Sequence, residues 1–198
     1  MVDWPRSPFS REIAGLLREL ESQGGGAAVL AFTSAEPGES KSAIAVSLAR
    51  AAAAAGRKTV LIDGDGATHM AARAMRAPAE AGLFEVLTGG AMLNHALTKD
   101  PRSNAFLLAS VRRAPNSATM FASRQMENLV AMLRQSCDLV VIDCPCARQS
   151  PDAALISRLA DATILVAQRW ALGQPSVAQA VKILRAAKAA PVGIVVAG

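Results

Sequence analysis

Residues 27–55 constrain the fold more than any other part of the chain. Ala27 to Ala31 form a short apolar run that reads as a buried strand over 27–32. Residues 42–55 are alanine-rich, with Ile44 and Leu48 four apart, and read as a helix. Between them lies a loop of small and polar residues ending in Lys41 and Ser42. A strand, a small-residue loop, Lys-Ser and a helix form a cradle for an anion. Backbone N–H groups wrap it, the helix N-terminus faces it, the lysine adds a point charge, and the serine hydroxyl can ligate Mg²⁺. The expected phosphate contacts run through Pro37, Gly38, Glu39, Ser40, Lys41, Ser42 and Ala43. Ser40 stands where such loops place a glycine with positive φ. A serine there costs about 1–2 kcal/mol, which predicts binding weaker by about 5–30-fold.

Two further strands point the same way. Residues 58–63 end in Asp63, followed by Gly64 and Asp65, and residues 138–143 end in Asp143. Ligands of open α/β sheets sit at the carboxyl ends of the strands. Lys41 and Ser42, Asp63 and Asp65, and Asp143 are therefore expected at one edge. Carboxylates beside a triphosphate need a cation between them, and Mg²⁺ takes a hydroxyl, one or two carboxylates, water and phosphate oxygens. Ser42, Asp63 and Asp143 are the expected metal ligands. Lys41, Asp63 and Asp65 are the expected catalytic groups. Helix capping after a strand also uses aspartates, but does not explain two strands ending this way together with the Lys-Ser loop.

The 198 residues are expected to form one globular unit over 27–198, preceded by a helix and linker over 1–26. Residues 10–20 read as an amphipathic helix carrying Ile13, Leu16, Leu17 and Leu20 on one face. The remaining strands are expected at 105–110, 162–168 and 192–197. Helices are expected at 70–76, 82–88, 119–135, 151–159 and 175–189. Alternating strands and helices imply an α/β three-layer sandwich with a mostly parallel sheet, the strand before the phosphate loop lying at its centre. No apolar run reaches membrane-span length, and the start lacks a signal peptide, so the chain reads as cytoplasmic. Aromatic residues make up 4% of the chain, too few for a base-stacking platform, and no nucleic acid partner is expected. The cysteines, Cys137, Cys144 and Cys146, read as reduced structural thiols, with Cys144 reactive only if it faces Lys41 or a helix N-terminus.

Together these motifs resemble the cytoplasmic ATPase domain of bacterial tyrosine kinases, deviant Walker-motif P-loop proteins of capsule and exopolysaccharide export. The resemblance covers roughly residues 10–198. The loop Thr33, Ser34, Pro37, Gly38, Glu39, Lys41, Ser42 is similar to the family's Walker A. Ile62-Asp63-Gly64-Asp65 is similar to its second Walker motif, and Asp138 to Asp143 with Pro145 to its Walker B. Partitioning ATPases of the same superfamily carry an extra lysine early in the loop, where this chain has Ala35-Glu36. The resemblance implies a P-loop NTPase fold, ATP or ADP with Mg²⁺, a homo-oligomer, and a membrane polysaccharide co-polymerase or its cytoplasmic segment as partner at the inner face of the cell membrane.

Several positions depart from the family: Ser40, Ala43 in place of a second hydroxyl, Gly66-Ala67 in place of an arginine, and Gly15 within the first helix's charge pattern. Tyrosine is absent, so the chain cannot autophosphorylate on tyrosine. Two readings follow: an ATP-binding domain with weakened or absent kinase activity, or a degenerate regulatory module docked on the co-polymerase. A partitioning-type ATPase is a third.

Overall fold

The computed structural model describes residues 28–38, 40–76, 78–112, 114–189 and 192–197. The expected helix over 10–20 with Gly15, the glycine-rich linker, and Glu39 lie outside these residues.

The described elements run β1 (Ala28–Ser34), α1 (Lys41–Ala54), β2 (Thr59–Asp63), α2 (Met70–Met75), α3 (Leu83–Leu87), α4 (Leu93–Ala96), β3 (Leu97–Lys99), β4 (Phe106–Leu108), α5 (Ser117–Phe121), α6 (Arg124–Ser136), β5 (Leu139–Asp143), α7 (Pro151–Ser157), β6 (Ala162–Gln168), a 3-10 turn (Arg169–Ala171), α8 (Pro175–Ala186) and β7 (Val192–Ala197). The strands form one sheet in the order β3-β4-β2-β5-β1-β6-β7. Every pairing is parallel except β3 with β4.

The sheet is covered on both faces because its inner strands are mostly apolar, with side chains pointing alternately to each side. Leu30, Phe32, Leu61, Leu139 and Val141 face one apolar layer with α1 and α2. Val29, Ala31, Ile62, Val140 and Ile142 face the other, with α3, α6, α7 and α8. The result is the expected three-layer α/β sandwich. The strand before the phosphate loop is interior but not central, since β5 holds the middle place.

Helix ends follow local chemistry. α1 stops where Gly56 takes φ 87. There Gly56 N–H donates to Ala53 O and Arg57 N–H to Ala52 O, each at 3.1 Å, which satisfies the last carbonyls. The single helix expected at 119–135 is two helices. The Ser123 hydroxyl donates to Met120 O at 2.6 Å and accepts from Met126 N–H at 3.3 Å, so it ends α5 and caps α6. The pair α4–β3, which adds an antiparallel edge, was not expected from the sequence.

Arg50 and Asp100 tie this edge to the rest. Arg50 donates to both Asp100 carboxylate oxygens at 2.9 Å and to Ala74 O at 3.0 Å. Burial opposes the charge on Asp100. Hydrogen bonds from Arg50 and Ser103 outweigh it and hold the carboxyl below its usual range.

Candidate active site

The phosphate loop leaves β1 at Ser34 and is laced to the loop after β5. Thr33 donates its hydroxyl to Pro145 O at 2.7 Å, Cys144 N–H donates to Phe32 O at 2.8 Å, and Ala147 N–H to Ser34 O at 2.9 Å. Across the loop mouth Glu36 pairs with Arg148. Gly38 takes φ 80 and Ser40 takes φ 60. Ser40 thus takes the left-handed conformation expected of a glycine at this position. A conformation held by the fold places its strain on folding, and Ser40→Gly distinguishes this from the weaker binding that the sequence predicts.

Lys41 and Ser42 open α1 and are almost buried, at 8% and 7% exposure. Lys41 Nζ donates to Asp65 Oδ2 at 2.8 Å and to Asp143 Oδ1 at 3.2 Å. The three strand ends therefore meet. β2 and β5 are adjacent and parallel with Asp63 opposite Asp143. The turn after β2 packs close because it is glycine: Gly64 N–H donates to Asp143 O at 2.8 Å, and a Cβ there would stand 2.9 Å from that oxygen.

A cleft of about 560 Å³ opens over this cluster, within the usual size of small-molecule sites. Pro37, Gly38, Ser40, Lys41, Ser42, Ala43 and Asp65 all line it. Asp63 and Asp143 lie behind its wall, fully buried. Sequence reasoning missed the opposite wall, where Phe84, Ser117, Gln149, Ser150 and Asp152 face the cleft. Only the Ser150-Pro151 helix start there carried a local signal.

The electrostatics follow from burial. Asp63 is pushed up to about 8, first by burial and then by the nearby Asp143 and Asp65 carboxylates. Burial also raises Asp143, although Lys41 and the Ser42 hydroxyl pull the other way. For Lys41, burial favours the neutral amine, but Asp143 and Asp65 outweigh it and raise its pKa. Cys144 is buried and its thiol is pushed up, chiefly by burial and then by Asp143, which makes it inert. Cys137, Cys144 and Cys146 are all free, as expected.

Asp63 Oδ2 and Asp143 Oδ2 are buried without hydrogen-bond partners. Orphaned carboxylate oxygens beside a phosphate-type loop fit a cation. Among the described residues no group of three or more His, Cys, Asp or Glu side chains forms a metal centre. A Mg²⁺ here would draw on Ser42, carboxylate, water and phosphate oxygens, as that ion commonly does.

The family model described as an AAA domain matches residues 27–190. The tyrosine-protein kinase CpsD of Streptococcus pneumoniae is 34% identical over 139 residues, covering 70% of this chain and 61% of that protein. The succinoglycan biosynthesis transport protein ExoP of Rhizobium meliloti is 33% identical over 177 residues, covering 85% of this chain and 22% of that protein. The chain thus spans less than two thirds of each of these relatives. In fold it superposes on the kinase domain of the Escherichia coli tyrosine kinase ETK with a TM-score of 0.88 at 23% identity, covering 100% of this chain and 78% of that one. The chain belongs to the AAA domain family of P-loop proteins, and it is similar to bacterial tyrosine kinases of that type.

Proposed function

We propose that this chain binds Mg-ATP and Mg-ADP in the cleft over Lys41, as the P-loop domain of a tyrosine-kinase-type regulator of capsule or exopolysaccharide production. The observation that carries the reading is the meeting of Lys41 with Asp65 and Asp143 at 2.8 and 3.2 Å. It is a pre-assembled cation and carboxylate pair at the mouth of a phosphate loop. Bound Mg²⁺ would neutralise charge on the transferred phosphoryl group. Lys41 would exchange its carboxylate partners for phosphate oxygens, since positioning and electrostatics supply most of this chemistry. Asp65 lines the cleft and can orient an acceptor hydroxyl. Asp63, buried behind the wall, would act through Asp65 and the cation. The partner of this reading is a membrane co-polymerase or its cytoplasmic segment, at the inner face of the membrane. Among the described residues no helix is long and apolar enough to cross a membrane.

The second reading, a degenerate regulatory module, draws on Ser40, Ala43 and Ala67. The retention of Lys41, Ser42 and Asp65 together on the cleft weighs against it. Incubation with labelled ATP and a tyrosine-bearing tail peptide of a co-expressed partner separates the two. Labelling of the peptide that Asp65→Asn abolishes supports kinase activity. ATP binding with no transfer favours the regulatory module.

A further inference from the structure

We propose that Ser117, with Asp152 as its base, is a phosphoryl acceptor built into this chain, replacing the tyrosine that the sequence lacks. The proposal rests on the Mg-ATP reading of the cleft. Ser117 Oγ donates to Asp152 Oδ2 at 2.7 Å. Both residues line the same cleft as Lys41 and Ser42. Ser117 is half-buried, and Asp152 is 9% exposed.

The bond joins the start of α5 to the start of α7, across 35 residues of sequence. A tie between two helix ends would explain the contact but not its place on the cleft wall. A serine whose proton is already directed at a carboxylate keeps its lone pairs for an electrophile, the arrangement of a nucleophile and its base. Two of the other cleft hydroxyls are otherwise engaged, and neither of the remaining two, Ser40 and Thr68, has a carboxylate partner among the described residues. Ser42 accepts from Lys41 at 3.2 Å, and Ser150 accepts from Asp152 N–H at 3.2 Å. Asp152 is held in place by that cap, so its carboxylate stays beside Ser117.

In the transfer, Ser117 Oγ forms a bond to the γ-phosphorus while the bond from that phosphorus to the β,γ-bridging oxygen breaks. ADP leaves, and the Ser117 proton passes to Asp152. Asp152 then releases that proton to solvent, and the product is a phosphoserine beside the Asp152 carboxylate. Two adjacent anions there repel, which weakens the α5–α7 tie and changes the cleft wall.

The test is incubation of the full chain with Mg-ATP, followed by fragmentation of the tryptic peptide 114–124, which also holds Thr119 and Ser123. The expected result is phosphate on Ser117 alone. Labelling should vanish in Ser117→Ala, persist in Ser117→Thr and slow by about 100-fold or more in Asp152→Asn. A fluorophosphonate probe needs neither metal nor nucleotide, and should label Ser117 in the parent more strongly than in Asp152→Asn. Calorimetry of Mg-ATP binding on the same sample separates the two ideas. Binding with no phosphate on Ser117 overturns this proposal alone. Absence of binding overturns the cleft reading as well. Equal rates in the parent and Asp152→Asn overturn the assignment of the base.

Discussion

Lys41 Nζ lies 2.8 Å from Asp65 Oδ2, so the cation of the phosphate loop is held by the carboxylate that follows the second strand. A phosphate entering the cleft must compete for this ammonium. The pair also matters without a ligand, since both side chains are at most 10% exposed. Breaking a buried pair leaves a charge without compensation. Lys41→Met is expected to destabilise the ligand-free chain by on the order of 3 kcal/mol, read by urea unfolding. An unchanged midpoint would show that the pair adds nothing to the fold.

Ser40 holds φ 60 in the phosphate loop. Relieving a left-handed L-residue returns about 1–2 kcal/mol. The greater freedom of glycine when unfolded takes back roughly 0.5–1 kcal/mol. Ser40→Gly should therefore raise stability by up to about 1.5 kcal/mol and change ADP affinity little. A large gain in affinity at unchanged stability would place the strain in binding instead.

Asp63 gives a pH signature. Its folded pKa near 8 exceeds the unfolded value of the carboxyl. The folded state therefore holds a proton that the unfolded state has lost. Stability from this group is complete below about pH 4, and is lost as pH rises through about 8. Asp63→Asn, neutral throughout, should flatten the fall in melting temperature between those limits. An identical slope in both proteins would refute the assignment.

Arg50 and Asp100 form a two-pronged pair whose Asp100 side chain is fully buried. Arg50→Ala is expected to cost about 3–5 kcal/mol, a fall of roughly 6–20 °C in melting temperature. The Asp100 carboxyl sits below its usual range. Its contribution is present above the unfolded carboxyl pKa and disappears as acid protonates the folded form. A melting curve that is insensitive to Arg50→Ala would contradict the role given to the pair.

The parts of the site that sequence reveals are those where chain direction does the work. Apolar runs ending in Asp63 and Asp143 mark strands, and strand ends in a parallel sheet converge on one edge. Lys41 follows the third such run, so its neighbours could be named. The opposite wall is different. Ser117 and Asp152 sit on short helices and meet only after folding, as do Arg50 and Asp100, 50 residues apart. The break at Ser123 was hidden because α5 and α6 share one apolar stripe, and only the side-chain cap divides them. The edge strand β3 is three residues long and half-exposed, too short for a period of two to show.

Isothermal titration of Mg-ADP into the parent chain and Lys41→Met tests the central claim most directly. The account predicts saturable binding to one site in the parent and loss of binding in Lys41→Met, with the variant still folded by circular dichroism. Binding of equal strength by both proteins, or no binding by the parent, would contradict it.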